Sequence, residues 1–312
     1  MSSFSGTEPS KDQTWIAGLL VAAYAFITIL PLIWIIAAGC KSPSDAIAYP
    51  PKLMFSPTLE GSVNLFTTRT RQTPEFIVMN PPLTWYDRIV AQYDRSIVGP
   101  SWFGQRFLNS GIIGFGVTLL TVFLGTLAAS AFSRFKVPLK DDLMFFILST
   151  RMMPPIAVAI PIFLMYRALG LSDTHLGMIL RYTAVNLSLS VCFLKGFIDE
   201  IPVKYEEAAL IDGSTRFQAF YKVVLPLAAT GIASTAIFWL IFAWNEYAFA
   251  VWLTSGTEQI APRFIPTIIG VGGLDWPAVA AETALFLLPV MVFTVLLRTH
   301  LLRGITFGAV RK

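Results

Sequence analysis

The chain has 312 residues, of which 55% are hydrophobic and 13% charged, with a formal net charge of +4. A soluble domain carries roughly 25% charged residues, so this chain is too apolar to be one, and so small a positive excess is no argument for nucleic acid. Its two cysteines (Cys40, Cys192) and two histidines (His175, His300) form no CxxC or Cys/His cluster, which predicts no metal site.

Bilayer-spanning helices need about 20 consecutive apolar residues, and the chain order predicts six spans in an all-α polytopic membrane protein. After a short tail, residues 1–13, the first is TWIAGLLVAAYAFITILPLIWIIAAGC, Thr14 to Cys40. Its AAGC end resembles a lipoprotein cleavage site, but the run is long for a signal sequence and is read as an anchor. A long external segment, residues 41–106, follows. Within it WYDRIVAQYDR is expected to form an amphipathic helix lying on the membrane interface, with Trp85, Tyr86, Tyr93 and Trp102 as anchors. The remaining spans belong to a core over residues 107–302. They are Gly111 to Phe132, starting about a turn earlier, then Leu143 to Tyr166, Leu176 to Leu194, Ala228 to Leu253 and Ala281 to Leu297. Arg181 interrupts the fourth and Pro289 the sixth. Residues 303–312 form a C-terminal tail.

Basic residues in short loops set the orientation. Arg134, Lys136 and Lys140 follow the second span, Lys204, Arg216 and Lys222 the fourth, and Arg303, Arg311 and Lys312 the sixth. The connection after the third span, ALGLSDTH, has no basic residue, and the one after the fifth has only Arg263. Both termini are therefore expected in the cytoplasm, together with the segment between the fourth and fifth spans.

That segment, EEAALIDGSTRFQAFYKVVLP (Glu206 to Pro226), is polar between two greasy runs. It predicts two short helices. VKYEEAAL forms the first, Gly213 ends it in a left-handed conformation, and Ser214 caps the second. Phe217, Phe220 and Tyr221 share one face of that second helix by their spacing. Such an aromatic face either docks into another protein or rests on lipid headgroups.

Glu207-Ala208-Ala209, with Gly213, Val223 and Leu225-Pro226 at fixed distances, resembles the EAA signature of ABC importer permeases, which usually has Ile at the Val223 position. MMPPIAVAIPIFLMYRALGLSDTHLGMIL (Met152 to Leu180), FAWNEYAFAVWLT (Phe242 to Thr254) and the tail RGITFGAVRK are similar to the carbohydrate-uptake branch of that family. The resemblance covers most of residues 107–312 and implies a type I ABC importer permease fold. It also implies a second, different permease subunit, a cytoplasmic ATPase dimer and an external solute-binding protein as partners, with the lipid bilayer around the pair. Residues 200–226 would then be coupling helices seated in the ATPase, with Glu206, Glu207, Ala208, Ala209, Gly213, Phe217, Phe220 and Tyr221 at the contact. Beside the family pattern, Arg69 to Gly99 looks like an insertion into a loop that is normally short.

No GxxxxGK[ST] occurs in the chain. No cofactor is expected in it; the resemblance implies that ATP and Mg belong to the partner ATPase and that this subunit is not an enzyme. For the substrate path, polar groups at membrane depth are expensive and tend to face a cavity or a partner helix. Arg151, Met152 and the Pro154-Pro155 break in the third span qualify, as does WNEY (Trp244, Asn245, Glu246, Tyr247) in the fifth, which sets planar polar groups beside aromatic rings suited to sugars. The alternatives are structural: a paired Arg151 and a helix–helix hydrogen-bond cluster around WNEY. Asn186, Ser188, Ser190 and Glu282 are weaker candidates. An ion-coupled secondary transporter is the competing class, but it calls for internal repeats and intramembrane carboxylates, and neither pattern is convincing here.

Overall fold

The computed structural model describes residues 11–256, 259–264, 268–270 and 273–309. In chain order its first elements are α1 (Lys11–Gly39), α2 (Pro43–Ala46), α3 (Glu60–Phe66), β1 (Thr67–Arg71), α4 (Pro74–Met79), α5 (Trp85–Ala91), β2 (Arg95–Pro100), α6 (Phe103–Arg134), α7 (Lys140–Ser149), α8 (Pro155–Ala168) and α9 (His175–Asp199). Then come α10 (Lys204–Ile211), α11 (Arg216–Ala219), a π-helical turn (Phe220–Val224), α12 (Leu225–Leu227), α13 (Ala229–Trp244), α14 (Ala248–Leu253), α15 (Ala261–Phe264), β3 (Ile269–Gly270), β4 (Gly273–Leu274) and α16 (Trp276–Ala309).

Among the described residues four helices, α1, α6, α9 and α16, are long and apolar enough to cross a membrane. The other two expected spans are not single rods. The third run is α7, a 3-10 turn at Thr150–Met152 and α8, bent by 93°. Pro154 and Pro155 explain the break: a proline lacks the N–H that would continue the ladder, and Pro155 suits the first position of a new helix. In the fifth run α13 stops at Trp244 and α14 resumes at Ala248, and α13 itself meets the α11–α12 stretch at 71°. Six crossings result when each bent pair is taken as one span. The last helix is longer than expected. It runs through most of the stretch read as a tail, to Ala309, while residues 310–312 and the N-terminal residues 1–10 lie outside the described residues.

The chain divides into two compact units, Met1–Ser101 with Ile268–Leu285, and Trp102–Thr267 with Phe286–Lys312. In the second unit α6 packs against α9 and α13. Small residues let the backbones approach; a Cβ added at Gly125 would stand 2.5 Å from Ser190 Oγ. One apolar cluster joins Ile113 and Val117 of α6 to Met178 of α9 and to Phe249 and Leu253 of α14. Another gathers Ala129, Leu194, Ile198, Ile201, Val224 and Ala228 at the opposite end of α6 and α9.

The first unit holds the segment read as an insertion, and a pair of strands brackets it. β1 and β2 run antiparallel with Thr67 opposite Pro100 and a bulge between Thr68 and Arg69. These strands and the β3–β4 pair are exceptions to the all-α expectation, lying outside the spans. α5 shortens the expected amphipathic helix to Trp85–Ala91, started by a Thr84–Asp87 capping box. Trp85 is largely exposed, but Tyr93 turns inward and donates to Glu60 Oε2 at 3.1 Å. Asp275 caps α16 through the Ala278 N–H and accepts from Asn64 Nδ2 at 2.9 Å and from Arg69 at 3.3 Å.

Candidate functional site

The segment between α9 and α13 forms the predicted helix pair. Gly213 has φ +85°, and the Ser214 N–H reaches back to Ala209 O at 2.9 Å, so the left-handed turn that ends α10 is present. The cap of α11 is Thr215 rather than Ser214. Thr215 Oγ1 accepts from the Gln218 N–H while Gln218 Oε1 accepts from the Thr215 N–H, a reciprocal box that only a residue three positions before Gln218 can make.

The aromatic face is also split. Phe217 is 73% and Tyr221 64% exposed, but Phe220 turns inward against the cluster around Val224. A π-helical turn begins at Phe220, and the Phe217 and Phe220 rings stay neighbours, with centroids 6.4 Å apart. Glu207 and Ala208 are exposed, and Ala209 is half-buried.

Glu206 is half-buried. It forms an ion pair with Arg134, the last residue of α6, and the two side chains are only 15% and 9% exposed. The same guanidinium donates to Ile198 O and Ile201 O, both at 2.9 Å, which are carbonyls at the end of α9. One arginine thus ties α6, α9 and α10 together. Arg216 lies over the Phe135 ring at 5.7 Å and adds a second tie to the same end of α6. Between α6 and the helix pair a pocket of about 270 Å³ is lined by Leu127, Arg134, Glu206, Phe217 and Phe220.

The third-span break and the WNEY segment meet across a second cavity, of about 360 Å³. Arg151 and Glu246 both line it, whereas Met152, Pro154, Trp244, Asn245 and Tyr247 do not; Met153 and Pro155 take the places of their neighbours. Trp244 is a packing residue, 5% exposed, stacked on Phe286 and donating Nε1–H to Phe286 O at 3.0 Å. Asn245 folds back on Ile241 O at 2.8 Å as the α13 cap, and Tyr247 is partly exposed. The lining residues not singled out for the path include Arg181, read only as an interruption, and Tyr182 and Phe249. Tyr182 donates its hydroxyl to Glu246 Oε2, while Glu246 Oε1 accepts from the Phe249 N–H. The signal for Arg181 was present in the sequence, since a charge amid an apolar run is costly without a purpose.

The family model for the binding-protein-dependent transport system inner membrane component matches residues 121–307. The chain belongs to that family. It is a multi-pass inner-membrane permease subunit of an ABC transporter and not an enzyme, since the ATPase is a separate partner, as is a solute-binding protein. The trehalose transport system permease protein SugB of Mycobacterium tuberculosis is 38% identical over 70% of this chain and 80% of its own length. The trehalose/maltose transport system permease protein MalG of Thermococcus litoralis is 31% identical over 77% of this chain and 87% of its own. The permease fold is also shared with a bacterial ABC transporter that imports the acidic polysaccharide alginate. That match has TM-score 0.66 and 19% identity, covering 95% of this chain and 99% of the other. Membership in a binding-protein-dependent family leaves the ion-coupled alternative without support.

Proposed function

We propose that this permease is one of two different membrane subunits of an importer for a sugar, oligosaccharide or polyol. A cytoplasmic ATPase dimer holds the ATP and Mg, and an external binding protein delivers the solute. The solute class follows the relatives named for trehalose and maltose transport.

The observation that carries the mechanism is the helix pair α10–α11. It presents Glu207, Ala208, Phe217 and Tyr221 outward while Arg134 and Glu206 hold it to α6 and α9. A small, exposed apolar face on a polar helix pair suits a cleft in a partner protein. A rigid tie at its base suits the transfer of motion. Both termini and this pair face the cytoplasm, in keeping with the basic short loops. Closure of the ATPase dimer on ATP then shifts the pair as a body, and the spans move between inward- and outward-facing states around the Arg151–Glu246 cavity.

The test is solute- and binding-protein-stimulated ATP hydrolysis by the reconstituted complex, with Glu207→Arg and Gly213→Asp as variants. Stimulation disappears in both while the subunits still co-purify. Normal transport by the variants would overturn the coupling role.

A further inference from the structure

The cavity at the two span breaks holds more positive charge and more donors than the described residues satisfy. Arg151 and Arg181 both line it, against a single carboxylate, Glu246. Both oxygens of that carboxylate already accept, one from Tyr182 and one from the Phe249 N–H. Arg181 is 7% exposed and lies 3.7 Å from the Phe249 ring centroid, and its Nε has no hydrogen-bond partner among the described residues. Asn186, fully buried, receives Arg151 on Oδ1 at 3.2 Å, but its Nδ2 likewise has no partner among the described residues. Arg151 faces the rings of Phe242 and Trp239, at 4.9 and 5.5 Å.

Aromatic faces accommodate a cation without neutralising it. A buried guanidinium with an open donor calls for an acceptor of opposite charge, because desolvation has already been incurred and only an ion repays it in full. A planar oxyanion also matches the guanidinium fork, which a lone hydroxyl does not. The cavity volume, about 360 Å³, lies within the roughly 300–1,000 Å³ of small-molecule sites.

We propose that this cavity receives an oxyanion, a carboxylate or phosphate, carried on the transported sugar, with Arg181 donating to it and Arg151 supplying the second positive charge. The proposal rests on the importer reading and narrows its solute to acidic carbohydrates.

The test is equilibrium binding to the assembled importer, permease pair with ATPase, in lipid nanodiscs without binding protein. The probes are D-glucuronate, D-glucose 6-phosphate and D-glucose. At least one anionic probe binds about tenfold or more tightly than glucose, as expected when charge-assisted bonds are at stake. Arg181→Gln removes that preference, and Arg181→Lys keeps part of it. Comparing the two anions distinguishes a carboxylate-bearing from a phosphate-bearing solute. Equal binding of all three probes, binding of none, or an unchanged preference in Arg181→Gln would overturn the proposal. So would loss of the second permease subunit from purified Arg181→Gln, because the counter-charge would then come from that subunit. Stimulation of ATP hydrolysis by the binding protein, measured on the wild-type preparation, reports separately on the importer reading.

Discussion

Replacing Arg134 with alanine should loosen the coupling pair without touching its exposed face. The guanidinium makes an ion pair with Glu206 and hydrogen bonds to Ser133, Ile198 O and Ile201 O, and its side chain is 9% exposed. Hydrogen bonds to charged groups contribute about 1.5–3 kcal/mol each, and removing one partner of a buried pair costs about 3–5 kcal/mol. The full sum does not apply, because Arg134 and Glu206 line a pocket from which water can take the place of the lost side chain. The net loss in holding the docked pose is about 2 kcal/mol, which is roughly 30-fold in the equilibrium constant between held and released poses. Apparent affinity falls in proportion to the competent fraction, so binding of the ATPase to the permease pair weakens by up to about that factor. Titration of the ATPase onto nanodisc-embedded permease measures it, and solute moved per ATP hydrolysed falls in the same variant. Arg134→Lys keeps the charge but not the fork, so it falls between the two. An affinity and coupling ratio both within about twofold of wild type in Arg134→Ala would refute the tie.

Two further outcomes follow from other parts of the molecule. Burial pushes the Glu60 carboxyl up from 4.5 to about 7, over the opposing effect of the Tyr93 hydrogen bond. The native state therefore keeps a proton that the unfolded chain releases, and stability falls as pH rises from 4.5 to about 7. Glu60→Gln imitates the neutral form, so its melting temperature matches wild type near about pH 4.5 and exceeds it at about pH 8; equal melting curves at the higher pH would contradict this. Gly125→Ala places a methyl 2.5 Å from Ser190 Oγ and 3.2 Å from Leu194 Cδ1. Overpacking of this kind costs about 1–3 kcal/mol, more than the gain in helix propensity, of about 1 kcal/mol at most. The melting temperature drops, and adding Ser190→Gly restores much of it.

Much of what depends on near neighbours in the chain was legible in the sequence. Apolar runs of span length located the membrane helices, because the bilayer sets one length for all of them. Pro154-Pro155 announced the break between α7 and α8, and Gly213 the left-handed turn, because a missing N–H and a missing Cβ act on the residue's own backbone. Two finer readings missed: Gln218 selects Thr215 over Ser214 as the cap, and Phe220 is drawn inward against the cluster around Val224.

Partnerships across long stretches of chain were decided only by the tertiary structure. Arg134 finds Glu206 72 residues away, and Asn64 finds Asp275 211 residues away. A basic residue in a short loop reads as an orientation signal, and nothing next to Arg134 says that three helix ends converge on it. WNEY looked like one polar cluster, but its side chains leave the helix end in different directions. Trp244 packs on Phe286, and Glu246 turns to the cavity that holds Arg151 and Arg181. The sequence shows which polar groups lie at membrane depth. Which of them share a cavity is a matter of helix rotation and packing, because only the folded core determines the direction in which each side chain points.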